Sequence, residues 1–200
     1  MKKKLMIMAV LVMTFIFCSF LYHMTYGADR EIYIEIPEEE EEEEEDVLFP
    51  YVDIQMTENS FKSYMGYKSL TSIDSPQRML QELCITDMDG FRKCADRYVI
   101  AVGNGVGGQV GDCVDLYLQN GQVIYCVIGD YKKNIHTDAA NITGKNGCCS
   151  EFIVDTNLLR EDMKTRGNVS YGYFGWDSPV LFIRRYNINY LSLDLGGSVA

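Results

Sequence analysis

Apolar and polar residues follow one another in sharply different ways along this chain. Leu5–Tyr22 is a run of eighteen residues without a charge, directly behind Lys2, Lys3 and Lys4. Residues 28–46 are dominated by acids, with eight consecutive glutamates at Glu38–Glu45. Residues 47–75 show little periodicity. Beyond them apolar residues recur in short blocks and alternations, the spacing of strands. Ser75-Pro76 ahead of Gln77–Glu82 predicts a short helix with Pro76 in its first turn. Cys84–Asp87 and Phe91–Cys94 flank Met88-Asp89-Gly90, a three-residue hairpin with Gly90 in the left-handed position and Cys84 opposite Cys94. Arg97–Val102 reads as a strand. Cys113–Leu118 and Val123–Ile128 flank Asn120-Gly121, which predicts a two-residue hairpin. That register sets Val114, Leu116 and Leu118 against Val127, Tyr125 and Val123, and Cys113, Asp115 and Tyr117 against Ile128, Cys126 and Ile124. Both faces are fairly apolar, as in a small barrel covered on its outside. Glu151–Val154 is a further strand, Thr156–Lys164 a helix behind an Asp155 or Thr156 cap, and Val180–Arg184 and Asn187–Leu193 closing strands. The expectation is a mainly β domain with two short helices.

As a helix at about 1.5 Å per residue, the apolar run would reach roughly 27 Å, close to the hydrocarbon thickness of a bilayer. Lysines ahead of it hold that end in the cytoplasm. Residues 1–27 thus read either as a retained membrane anchor or as a signal peptide cut after Gly27 or Ala28. The chain beyond residue 27 is expected to be extracytoplasmic, membrane-anchored or secreted, which excludes most nucleotide and nucleic-acid chemistry. Like charges repel and bury no apolar area, so 28–46 reads as a disordered acidic linker. It holds 12 acids and one base, and it accounts for most of the formal charge of −11. Without it and the leading lysines, 47–200 keeps 17 acids and 14 bases. That segment is long enough for one domain with a real core.

Six cysteines lie beyond the apolar run, an even number that permits disulfides outside the cytoplasm. Register suggests Cys84–Cys94 across one hairpin and Cys113–Cys126 diagonally across the other. The cysteines do not combine with histidines, so no zinc site is indicated. Gly103-Asn104-Gly105-Val106-Gly107-Gly108 has the spacing of a dinucleotide loop, but β sequence follows it where a helix is needed, so it reads as a turn. No cofactor is implied. His136, with Asp138 two residues on, is a candidate binding position. Asp87, Asp89 and Asp96 faintly resemble a calcium loop, but Ile85 occupies its first ligand position.

Asp130 and Asp155 each end an apolar run. A carboxylate beside apolar walls can act as a general acid and protonate the leaving oxygen of a glycosidic bond. Each also has a plainer role, Asp130 in a turn and Asp155 as a helix cap. Tyr171, Tyr173, Phe174 and Trp176 suit an aromatic platform for sugar or protein, or core packing.

Tyr98-Val99-Ile100-Ala101-Val102, the glycine turn, Val110–Leu116, Asn120-Gly121, Val127-Ile128-Gly129-Asp130 and Phe152-Ile153-Val154-Asp155 occur in this order. Together they resemble the double-psi β-barrel of the 3D-domain and RlpA-like cell-wall proteins, over about residues 97–156. The order is also similar to uncharacterised exported proteins of Gram-positive bacteria and their mobile elements. The resemblance implies a small double-psi-like barrel, with Asp130 and Asp155 at family acidic positions and peptidoglycan cleavage of the lytic transglycosylase kind without a metal. Three departures stand out: Gly103 replaces the family's first aspartate, Tyr131-Lys132 its usual Thr-Gly, and about twenty extra residues separate Asp130 from Asp155. The functional expectation is a surface domain binding cell-wall glycan or a surface protein without catalysis; the alternative is a peptidoglycan-cleaving enzyme using Asp130 and Asp155.

Overall fold

Among the described residues nine strands are joined edge to edge in one open sheet. The computed structural model describes residues 50–56, 60–70 and 72–194; the N-terminal apolar run and the acidic linker lie outside them. Val47–Ala200 separates as one compact unit. The strands are β1 (Tyr51–Gln55), β2 (Ser63–Gly66), β3 (Ile85–Thr86), β4 (Arg92–Cys94), β5 (Arg97–Gly103), β6 (Asp112–Leu118), β7 (Val123–Lys132), β8 (Ser150–Val154) and β9 (Val180–Asn189). The helices are α1 (Pro76–Leu83), α2 (Glu161–Arg166) and α3 (Tyr190–Asp194). Among the described residues no helix is long and apolar enough to cross a membrane.

The order across the sheet is β1-β9-β6-β7-β5-β4-β3, with β8 pairing both β5 and β2. Most neighbours are antiparallel, but β5 runs parallel to β7 and β2 parallel to β8. This central position suits β5. Val99–Val102 is an unbroken apolar run, and such a run has no solvent face to offer. Ile100 and Val102 join one core with Phe91, Val114, Leu116, Cys126, Ile128 and Phe152. Val99 points the other way, into a second core with Leu80, Val127 and Ile153.

The first core closes over an aromatic cluster. The Trp176 ring centroid lies 5.2 Å from that of Tyr98, 5.3 Å from Phe152 and 4.6 Å from Tyr173. Tyr173 also donates its hydroxyl to Asp89 Oδ2 at 2.6 Å. Burial and that bond to Asp89 push the Tyr173 phenol well above its ordinary range.

Several expected elements are present. Ser75 caps α1, its hydroxyl accepting from Arg78 N at 3.2 Å, with Pro76 as the first helical residue. The β3–β4 hairpin turns through Met88-Asp89-Gly90, with Gly90 at φ 93°. Asn104–Val106 forms a short 3-10 turn. Residues 47–75, which lack periodicity, nevertheless supply β1 and β2. Their partners, β9 and β8, lie more than eighty residues downstream, so nothing local marks them.

The β6–β7 hairpin differs from its two-residue prediction. Cys113 pairs with Val127, Val114 with Cys126 and Tyr117 with Val123. Leu118 N bonds Gln122 O, and Gly121 takes φ 85°. The turn is therefore a three-residue loop, Gln119-Asn120-Gly121, and the register moves by one. A one-residue slip exchanges the faces of one strand relative to the other. Val114 and Leu116 consequently share the first core with Cys126 and Ile124.

Two C-terminal expectations also change. Val180–Asn189 is one ten-residue strand, held by β1 on one edge and β6 on the other, and α3 follows it. Residues 155–159 form a turn rather than the start of a helix. Leu158 and Leu159 amides donate to the Asp155 carbonyl, and α2 begins only at Glu161.

Candidate functional site

A cleft of about 500 Å³ opens where the parallel strands β5 and β7 end. Ala101, Asp130, Lys132, His136 and Glu151 are among the residues lining it. Its central carboxylate is aimed by an irregularity in β7. Ile128 pairs with Ile100, but Asp130, not Gly129, pairs with Ala101. Gly129 is thus an extra residue, a β-bulge that re-aims the rest of the strand. Strict alternation would put Asp130 on the face of Ile128, in the first core. The bulge turns it to the other face. Only glycine fits there: a Cβ at Gly129 would lie 2.2 Å from Val99 Cγ1 and 2.8 Å from Ile153 Cδ1.

Glu151 reaches the cleft from β8, where it too pairs with Ala101. Asp130, Ala101 and Glu151 therefore stand on one rung across three strands, with the small alanine as floor between two acids. Two strand spacings put their Cα atoms about 10 Å apart. Gln77, at the start of α1, donates Nε2 to Asp130 Oδ1 at 3.2 Å. Lys132 is buried beside Glu151, its Nζ 3.6 Å from Oε1 and donating to the Cys148 carbonyl at 2.9 Å. Tyr131 lies between, and burial followed by the nearby Asp112 charge pushes its phenol up to about 12. Lys133, Lys145 and Asn146 add exposed polar groups at the mouth.

The candidate residues named from sequence separate. Asp130 and His136 meet at this cleft. His136 ends a 3-10 turn, Asn134–His136, and is exposed. Asp138 instead ties its own loop, accepting from Ile142 N at 2.9 Å and Thr143 N at 3.3 Å. Asp155 does not join Asp130. It follows β8 at the level of residue 97, four residues from the Asp130–Ala101 rung, or about 13 Å along the strands. Its carboxylate accepts from Asn157 N at 3.0 Å and its amide donates to the Gly90 carbonyl at 2.8 Å, the bonds of a turn.

The aromatic group divides as well. Trp176 is buried in the core and Tyr173 half-buried against it. Tyr171 and Phe174 are exposed, beside a second cavity of about 550 Å³ that includes Asn120, Gln122 and Asp177. This cavity lies at the start of β7 and the carboxylate cleft at its end, about 30 Å along a ten-residue strand.

The six described cysteines are all buried, and no disulfide joins any two of them. For Cys113 and Cys126 the expected diagonal disulfide is corrected by the register. They pair with Val127 and Val114 respectively, so their side chains leave the sheet on opposite faces. Among the described residues no group of three or more histidine, cysteine, aspartate or glutamate side chains is placed to hold a metal ion.

Glu151 and Lys132 were not singled out from sequence. Lys132 had a faint signal, being two residues from Asp130 and so on its face of the strand. Glu151 had none, because its place depends on β8 lying antiparallel to β5. Compared with models of known protein families the chain matches none, and no curated protein matches it.

Proposed function

We propose that the chain is an extracytoplasmic surface domain that binds cell-wall polymer in the cleft at the ends of β5 and β7. The observation that carries this reading is the rung Asp130–Ala101–Glu151. It sets two acceptor carboxylates on either side of a small floor, with Lys132 Nζ and the His136 ring beside them. Hydroxyl- and amide-rich polymers need such a mixture of donors and acceptors around an open groove. The run Leu5–Tyr22 behind three lysines supports the location. The order of strand and turn motifs over 97–156 supports a double-psi-like closure of the central strands.

A second reading is favoured by the same rung. Inverting glycosidases place their two carboxyl groups about 6.5–9.5 Å apart to admit a water. Asp130 and Glu151 flank Ala101 on one rung, from Cα positions that allow this gap. In that reading Glu151 takes the place expected for Asp155, with one carboxyl protonating the leaving oxygen and the other activating water.

The test uses purified peptidoglycan with the wild-type chain, Asp130→Asn and Glu151→Gln. Co-sedimentation that falls at least tenfold in either variant, without release of soluble fragments, supports binding. Fragment release by the wild type that both variants abolish supports cleavage. Equal sedimentation of all three without release refutes the cleft as the site.

A further inference from the structure

The β3–β4 hairpin brings Cys84 and Cys94 together in a way no other described cysteines share. Ile85 pairs with Lys93 and Thr86 with Arg92, so the next rung is Cys84 opposite Cys94. Cys84 is the C-cap of α1 yet has extended backbone, φ −92° and ψ 149°, so the register carries through it. Asp87 N bonds the Phe91 carbonyl, which marks 87/91 as a hydrogen-bonded rung. Rungs alternate, so 86/92 is open, 85/93 bonded and 84/94 open again. Open rungs hold opposing side chains closest, with Cα atoms about 4.5–5.5 Å apart, inside the 4.4–6.8 Å range of disulfides.

Other backbone bonds agree. The Cys84 amide donates to Gln81 O and its carbonyl accepts from Arg92 Nη2, so neither is spent on Cys94. Both thiols are buried, and the two side chains are hydrogen-bond partners of one another. The contact with Cys94 and burial hold the Cys84 thiol far above its ordinary range, so it is a poor thiolate once folded.

We propose that Cys84 and Cys94 form a disulfide as the chain folds outside the cytoplasm, before burial quenches their reactivity. The step is exchange with a disulfide reagent of the oxidised-glutathione class or an oxidised dithiol protein. One cysteine thiolate attacks the reagent, breaking its S–S bond and releasing one reagent thiolate. The second cysteine thiolate then displaces the other reagent sulfur from the mixed disulfide. One S–S bond forms as one breaks, the two cysteine protons end on the reagent thiols, and the reagent gains two electrons. The bridge ties the end of α1 to β4 and so to β5. That steadies the helix whose Gln77 holds Asp130.

The experiment refolds the full chain in a buffer of oxidised and reduced glutathione, quenches it with acid and maps it with trypsin without reduction. The expected product is one species joining the peptides 79–92 and 94–97, which collapses into the two on reduction. The oxidised chain should melt about 5–10 °C above the reduced one. Cys113→Ser should retain the joined species, and Cys84→Ser and Cys94→Ser should each lose it. A wild-type map without that species, or with these cysteines joined to others, overturns the proposal. Because the map needs no cell-wall ligand, its failure is separate from failure of the cleft to bind.

Discussion

Replacing Lys62 with methionine tests how the first core is tied to the loop that carries Trp176. Lys62 is fully buried in a segment otherwise held by backbone and hydroxyl bonds. Its Nζ donates to the carbonyls of Ser60 at 3.2 Å, Ser178 at 3.0 Å and Trp176. Among the described residues no carboxylate lies within ion-pair distance of it. Burial dominates and holds its ammonium below the ordinary value of 10.5.

Two effects oppose each other in Lys62→Met. The substitution removes an ammonium whose desolvation costs several kcal/mol. It also removes three charged hydrogen bonds of about 1.5–3 kcal/mol each, the one to the Trp176 carbonyl fully buried. Methionine keeps most of the stem volume, so the cavity contribution is small. Loss of these bonds wins, because all three donors of the ammonium are used and the bond to the Trp176 carbonyl is buried, although the Ser60 carbonyl keeps its bond from the Ser170 hydroxyl. The expected loss is about 3 kcal/mol, which lowers a urea midpoint by roughly 1–2 M. Trp176 is the only tryptophan in the chain, so its fluorescence reports the transition at the affected loop. With a lowered folded value, the native state releases its proton before the unfolded chain does. The wild type therefore gains stability relative to the variant as pH rises from that value toward 10.5. A midpoint within about 0.3 M of wild type at neutral pH, or above it, would refute the reasoning.

Other outcomes rest on the same packing. Gly129→Ala drives a methyl into Val99 and Ile153, both fully buried, and should cost about 2 kcal/mol in urea unfolding. It should also disturb the bulge that aims Asp130, so peptidoglycan sedimentation should fall; an unchanged midpoint would count against the bulge. Burial, then the adjacent Cys148, pushes the Cys149 thiol from 9.0 up to about 11. Its contribution is therefore complete below pH 9 and lost as pH rises to 11, because the unfolded chain deprotonates first. Two units correspond to about 2.7 kcal/mol. The stability advantage of wild type over Cys149→Ala should shrink by about that amount between pH 8 and pH 11; a constant difference would show that the thiol is not desolvated.

The sequence by itself determined the local pieces of the domain. Ser75-Pro76 starts α1 because a hydroxyl cap and a fixed φ act within one turn. Gly90 closes the β3–β4 hairpin because only that turn needs a positive φ there, and the Cys84–Cys94 rung comes with it. The β-branched run within Arg97–Val102 marks a strand, while its central place came only from its pairing with β7 and β8. Asn120-Gly121 was equally local but did not decide its register, since Gly121 serves a two-residue and a three-residue loop alike. The choice was made by packing Ile124 and Cys126 into the first core. Tertiary structure alone decided the cleft. Asp130 reaches it through a bulge, Glu151 through antiparallel pairing with β5, and Asp155 misses it by about four residues of strand. Those placements depend on which distant strands become neighbours. That is set by burying both faces of β5 at once, a property of the whole sheet that no short stretch of chain encodes.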